Sequence, residues 1–308
     1  MIASLLAKQI AELFLMILLG FILVKCKLLT EKDSKVISTV VLYAINPCLI
    51  INAFQIEYSI QIRNGLILSF IAAILIHLIF IILAQVFGKF FSLESIEKAS
   101  IIYTNAGNLI IPLVMAILGK EWVVYTTGYI IVTTFFIWTH GRMLICEQKE
   151  FDLKNIFQNI NVIASFIGIL MFLFHISLPS LLTETMDSLT VTIGPLSMIV
   201  AGMLIGGMDV KSFLTNKRVY GVTFLKMIVF PLVITFILKC SNASRFVANG
   251  DMILLITLLA SIAPTAASVT QIAQVYNRNS EYASAYYFLT TLLCIVTMPI
   301  FVWIYQAF

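Results

Sequence analysis

Tyr103-Thr104-Asn105-Ala106-Gly107-Asn108-Leu109-Ile110-Ile111-Pro112 and Ala260-Ser261-Ile262-Ala263-Pro264-Thr265-Ala266-Ala267-Ser268-Val269-Thr270-Gln271 are the two stretches whose reading decides the fold. Each interrupts a long apolar run with Gly or Pro and with side chains that carry hydrogen-bonding groups. In hydrocarbon, a backbone carbonyl or N–H freed by such an interruption has no water to bond. A broken helix therefore survives only where it is packed in protein or lines a cavity. The two interruptions occupy corresponding places in the two halves of the chain, and paired broken helices of this kind point to the substrate site of a membrane transporter.

The flanking sequence supports a lipid environment. Of 308 residues, 61% are hydrophobic and 11% charged, with a mean hydropathy of +1.04, against roughly 45–50% apolar and about 25% charged in soluble domains. Ten apolar runs, 5–24, 36–54, 66–87, 97–118, 122–145, 157–176, 189–208, 219–238, 251–275 and 283–305, predict ten spanning helices, each near the roughly 20 residues that cross a bilayer core. Nothing of domain size lies between them, so no ATP-hydrolysing domain is expected and transport would run on a gradient. Lys25 and Lys27 follow the first run rather than precede it, which favours a retained helix over a cleaved signal. The cysteines, Cys26, Cys48, Cys146, Cys240 and Cys294, are scattered and suggest neither a metal site nor a disulfide framework. No cofactor, metal or nucleic-acid partner is expected. No H-E-x-x-H, G-x-S-x-G or paired carboxylates suggest an enzyme, so no catalytic residue is named.

Thirteen basic residues, from Lys25 to Arg278, fall between runs 1–2, 3–4, 5–6, 7–8 and 9–10, and five, Lys8, Arg63, Lys120, Lys239 and Arg245, on the other side. Short loops rich in Lys and Arg stay cytoplasmic, so both termini are expected outside the cell membrane. Ten helices with both ends outside divide into two units of five, 1–156 and 157–308, and an odd count inverts the second relative to the first. Asn46-Pro47 then corresponds to Gly194-Pro195, and Thr133-Thr134 to Thr290-Thr291.

Asn46-Pro47-Cys48-Leu49-Ile50, Asn105-Ala106-Gly107-Asn108-x3-Pro112, Lys226-x4-Pro231 and Ala263-Pro264-x-Ala266-Ala267, in this order, resemble the auxin efflux carrier family, which includes plant PIN proteins and bacterial organic-acid permeases. The resemblance covers the whole chain. It implies an all-α fold like that of bile-acid symporters and sodium/proton antiporters, with helices 4 and 9 crossing as an X. Helices 1, 2, 6 and 7 would be a scaffold, helices 3–5 and 8–10 a mobile transport domain working as an elevator, and the protein a homodimer. Two departures stand out. The family's Asn after the helix 9 proline is replaced by Thr265, Ser268, Thr270 and Gln271, and the long hydrophilic loop of many plant members is missing.

The chemistry of the crossover follows from the residues themselves. A helix interrupted near the midplane presents unpaired N–H groups where its second half starts and unpaired carbonyls where its first half ends. Two N-termini, each with roughly half a positive charge, make an anion site without a cationic side chain. Asn105, Gly107, Asn108, Thr265, Ser268, Gln271 and Asn46 are the candidate substrate residues, and Pro47, Pro112, Pro195 and Pro264 the helix breakers. The competing reading is that Ser268 and Thr270 merely glue helices, at about 0.6 kcal/mol per contact. Asn46 either faces the pocket or bonds the carbonyl that Pro47 leaves free. Ionisable groups within spans are costly and thus functional candidates. Lys226 either snorkels to the surface or acts as a fixed charge in place of a coupling cation. His77 is the deep titratable side chain, a proton site or a packing residue, and Glu12 pairs with Lys8 or serves coupling. The expected function is secondary transport of a small organic anion, a carboxylate. A sodium-coupled symporter of an amphipathic anion and a membrane receptor are the alternatives.

Overall fold

The structure, a computed structural model, describes residues 2–56, 59–111, 113–114, 118–147, 158, 160–207 and 215–307. Helices fall on all ten apolar runs among these residues. They are α1 (Ile2–Lys25), α2 (Glu31–Ala53), α3 (Ile60–Phe91), the broken α4 (Ser95–Ile102, then Ala106–Ile110), and α5 (Val123–Cys146). The second half holds α6 (Ile160–Leu173), α7 (Ile193–Gly207), α8 (Lys217–Cys240), the broken α9 (Gly250–Ser261, then Ala267–Val275) and α10 (Ser280–Ala307). An exposed helix that the apolar pattern does not predict, Ser180–Thr190, precedes α7. It is amphipathic rather than uniformly apolar, and Asn52 donates to its Asp187 at 2.6 Å. By length and composition α2, α3, α5, α8 and the unit Ser180–Gly207 can each cross a membrane, and α10 does so if its two halves count as one span.

Prolines shape the spans through wide turns. In α2 the π-helical turn Val41–Ile45 precedes Pro47, and in α8 the turn Leu225–Val229 precedes Pro231. A proline lacks the N–H that the preceding turn would bond, and the extra residue of a π-turn lets the helix continue past it. In α2 this leaves the Leu42 carbonyl without its helical donor, and Asn161 of α6 donates to it at 3.0 Å. Asn46 is therefore not the residue that satisfies the proline's orphan carbonyl. Pro195 lies in the first turn of α7, where a missing N–H costs nothing, and does not break a helix.

α1 packs along α7 so closely that a Cβ on Gly202 would lie 1.9 Å from the Ile17 carbonyl oxygen, and one on Gly20 would lie 2.1 Å from that of Ile199. Small residues let membrane helices approach in this way, since lipid offers no hydrophobic drive to bring them together. α2 and α7 share a second apolar cluster of Val41, Ile45, Leu49 and Ile193, against which Ile111 and Leu196 pack. The main core joins α3, α4, α5, α8, α9 and α10 around fully buried Phe80, Tyr103, Tyr129, Phe230, Tyr286 and Tyr287, and takes in Ile17 of α1, Leu42 of α2 and Met198 of α7. The side chains facing outward are Leu, Ile, Val, Phe and Trp, such as Phe90, Phe236 and Trp303, as expected of a surface in contact with acyl chains.

Candidate functional site

The two interruptions form one structure. After Ile102 the chain extends through Tyr103 (ψ 132°), and after Ser261 it bends at Ile262 (ψ 1°) and reaches Thr265 and the extended Ala266 (ψ 132°), which caps the second half of α9. The extended segments run antiparallel, with Thr104 opposite Thr265. Asn105 N donates to Pro264 O at 2.8 Å and Ala266 N to Tyr103 O at 3.0 Å. Each break thus supplies hydrogen-bond partners that the other lost, which is what burial at this depth demands. The carbonyl end of the first half of α4 is capped by side chains from elsewhere. Thr265 Oγ1 donates to Ser100 O at 2.9 Å, and Lys226 Nζ donates to Ile101 O at 2.8 Å. Thr290 Oγ1 accepts from Thr265 N at 3.0 Å.

Beside this crossing lies a cavity of about 60 Å³. Its polar wall consists of Asn46, Thr104, Asn105, Thr133, Thr134, Ser197, Ser268 and Gln271, its apolar wall includes Ile137 and Trp138, and Gly107 also lines it. No charged side chain lines it among the described residues. The first turn of the second half of α9 abuts it, with Ala266 and Ser268 in the wall, so the positive end of that helix faces a neutral cavity. Two polar atoms in the wall, Ser197 Oγ and Gln271 Nε2, are buried without a hydrogen-bond partner. A buried orphan of this kind costs roughly 1–3 kcal/mol, which a ligand or water in the cavity would recover.

The residues singled out in the sequence divide into three groups. Asn46, Asn105, Gly107, Ser268 and Gln271 meet at the cavity. Asn105 is 5% exposed and its Nδ2 lies 3.4 Å from Tyr287 Oη, a loose contact that leaves its amide available. Thr265 does not line the cavity; its hydroxyl turns away to Ser100. Thr270 is buried behind the wall with its hydroxyl unpartnered. Asn108 lies in the π-turn Ala106–Ile110, but its side chain, like Pro112, is outside the described residues. Pro264 sits in the break itself, its carbonyl accepting from Asn105.

Lys226 does not snorkel. It is 2% exposed, faces Ile101 and lies 5.8 Å from the centre of the Phe80 ring. Its Nζ therefore sits at the carbonyl end, the negative end, of the half-helix Ser95–Ile102. His77 is fully buried and does not line the cavity. Its Nδ1 lies 2.7 Å from Ala73 O and its Nε2 3.1 Å from Thr133 Oγ1, and its ring stacks on Phe136 with centroids 5.3 Å apart. Through Thr133 it touches a wall residue at second hand. Glu12 lies on α1, half-buried and away from the cavity, and the Lys8 side chain is outside the described residues.

Four features escaped the sequence reading. Ser197 gave no signal beyond its place two residues after Pro195. Thr133 and Thr134 were visible only as markers of the repeat. Tyr287 looked like an ordinary core aromatic. Glu97 stood at the edge of an apolar run beside loop charges, yet it is fully buried and accepts from Arg218 Nε at 2.5 Å, Arg218 Nη2 at 2.6 Å, Tyr282 at 2.9 Å and Tyr286 at 3.1 Å. Its partner Arg218, counted as a loop cation in the sequence, signalled nothing until the fold placed α8 against α4.

A family model described as membrane transport protein, the domain of the auxin efflux carriers, matches residues 5–158 and again residues 145–302. No curated protein matches the chain. The two matches together run over both broken helices and over the residues that line the cavity between them. The chain thus belongs to the auxin efflux carrier family of membrane transport proteins and is a multi-pass membrane secondary transporter of that type.

Proposed function

We propose that this carrier moves a small organic anion, a carboxylate, bound at the crossing of α4 and α9. The observation that carries the reading is the cavity wall: the first turn of the second half of α9, Asn105, and Ser197 and Gln271, each with an unpartnered buried polar atom, line one small uncharged space. Hydrogen-bond donors and a helix dipole suit an anion whose charge is concentrated on a few oxygens. Asn46, Gly107 and Ser268 complete the wall, and Thr265 and Pro264 hold the geometry of the break in α9. The volume of about 60 Å³ holds only a few water-sized groups, which favours a compact acid over a bile acid and a site that closes over its ligand.

Movement is by an elevator. The chain comprises two inverted units, 1–156 and 157–308, in which α1, α2, α6 and α7 form the scaffold and α3–α5 with α8–α10 the transport domain. The close packing of α1 along α7 and of α6 on α2 supports the scaffold grouping. The protein acts as a homodimer in the plasma membrane with both termini outside. Lys226 serves as a fixed positive charge on the Ile101 carbonyl, where a transporter coupled to sodium would need an ion, so uptake is independent of sodium.

The test is a thermal-shift screen of the purified protein against mono- and dicarboxylic, indole and bile acids, with sodium or with potassium. A ligand that binds only the folded state raises the melting temperature with the logarithm of its concentration. Stabilisation by one class of small acid, independent of sodium and lost in Asn105→Ala, is the expected result. Stabilisation by bile acids only with sodium would replace this reading with a sodium-coupled symporter, and a folded Asn105→Ala protein that binds like its parent would refute the site.

A further inference from the structure

Among the described residues, Ser197 and Gln271 are the cavity-lining residues with an unpartnered buried polar atom, and they sit on different helices. Ser197 belongs to α7, which packs most extensively on α1 and also on α2 and α10; Gln271 belongs to the second half of α9, and the elevator reading above assigns α7 to the scaffold and α9 to the transport domain. Ser197 is 1% exposed and Gln271 2% exposed, so neither has surface water to fall back on. Several hydroxyls on the nearby helices are satisfied by their own backbone, Thr133 donating to Tyr129 O at 2.8 Å, Thr290 to Tyr286 O at 2.6 Å and Thr291 to Tyr287 O at 2.7 Å, whereas Thr270, which does not line the cavity, is not. Ser197 does not make that bond. Its hydroxyl is left without a partner in a residue that lines the cavity. A packing serine in a membrane helix would have turned to its own carbonyl four residues back, the ready local partner.

We infer that Ser197 is a one-sided substrate contact: it hydrogen-bonds an acceptor oxygen of the bound acid in the arrangement seen here and loses it when the crossing moves. The inference rests on the elevator reading above. Gln271 travels with the crossing and keeps its bond to the ligand in every state, whereas Ser197 stays with the scaffold. Ser197 therefore sets affinity on one face of the membrane only, and Gln271 on both. A difference of one neutral hydrogen bond corresponds to roughly a two- to tenfold change in apparent affinity.

Ser197→Ala and Gln271→Ala test this in vesicles of uniform orientation, with malonate, lactate and propionate supplied from either face, beside thermal shifts of the purified proteins. For the acids that stabilise the parent, Ser197→Ala is expected to raise the KM two- to tenfold from one face and leave the other unchanged. Gln271→Ala is expected to raise it from both. Without acid, Ser197→Ala should melt no lower than the parent, because it removes an orphan group rather than a bond. An equal KM change on both faces, or no change on either, overturns the inference while leaving the carrier reading intact. A lower melting temperature without acid, combined with an unchanged acid shift, assigns Ser197 to packing and also overturns it. If none of the three acids stabilises the parent or is carried by it, the small-carboxylate reading falls, and this inference with it.

Discussion

Exchanging Arg218 for Met should harm this protein more than exchanging Glu97 for Gln, although the two residues form one ion pair. Glu97 is fully buried, while the Arg218 side chain is 37% exposed. The carboxylate accepts two bonds from the guanidinium, one from each of Tyr282 and Tyr286, and one from Glu94 N at 2.7 Å. Arg218 also donates to Ser92 O at 2.5 Å, so the cluster ties the end of α3 to α4, α8 and α10. Removing Arg218 leaves a buried negative charge with only neutral donors, which costs about 3–5 kcal/mol. With Glu97→Gln the charge that needed compensation is gone and Arg218 turns to water. The loss is then about 2 kcal/mol, the weakened charge-assisted bonds less the relieved desolvation. The double variant should resemble Glu97→Gln alone, not the sum, because the partners are coupled. Melting curves of the four proteins in one detergent decide the matter. Equal or reversed losses for the two single variants, or additive losses in the double, would refute the assignment of the charge as buried and compensated by Arg218.

Further outcomes follow from single contacts. Lys226→Met strips the donor from Ile101 O, so it should lower stability by roughly 1–3 kcal/mol and reduce uptake. Lys226→Ala should also make the melting temperature respond to sodium; a variant with parental uptake and no such response would refute the fixed-charge role. Gly202→Ala drives a Cβ to 1.9 Å from the Ile17 carbonyl oxygen and should cost at least about 1–3 kcal/mol by overpacking. Gly221→Ala is the control, since a Cβ there meets nothing within 4 Å and an exposed helical Gly→Ala gains up to about 1 kcal/mol. Melting temperatures that move the same way in both would show that the α1–α7 contact is not tight.

Much of this protein was legible from the chain alone. Hydrophobic runs of spanning length are a local property, because a helix in lipid must satisfy its own backbone within one segment. The run limits therefore anticipated the helices, and the Gly, Pro and Asn residues of 103–112 and 260–271 marked where they break. The same constraint made the motifs sufficient to identify the family. The exposed helix Ser180–Thr190 escaped because its pattern is amphipathic, and the hydropathy of long runs does not register it.

Partnership was decided only in three dimensions. The sequence placed Thr265 in the substrate pocket, but the antiparallel pairing of the two breaks turns its hydroxyl to Ser100 O. It left Lys226 between snorkelling and burial, and the position of α8 beside the end of a half-helix settled that it points at Ile101 O. It allowed Asn46 to serve Pro47, yet Asn161, more than a hundred residues away in the chain, reaches the freed carbonyl first. It counted Arg218 as a loop cation and gave Glu97, at the start of the run 97–118, no role, whereas packing buries Glu97 and pairs it with Arg218. Helix formation in a bilayer depends on neighbours four residues apart and can be read along the chain. The choice of partner for a freed carbonyl, an orphan hydroxyl or a buried charge depends on which distant helix arrives beside it, and only the tertiary structure contains that.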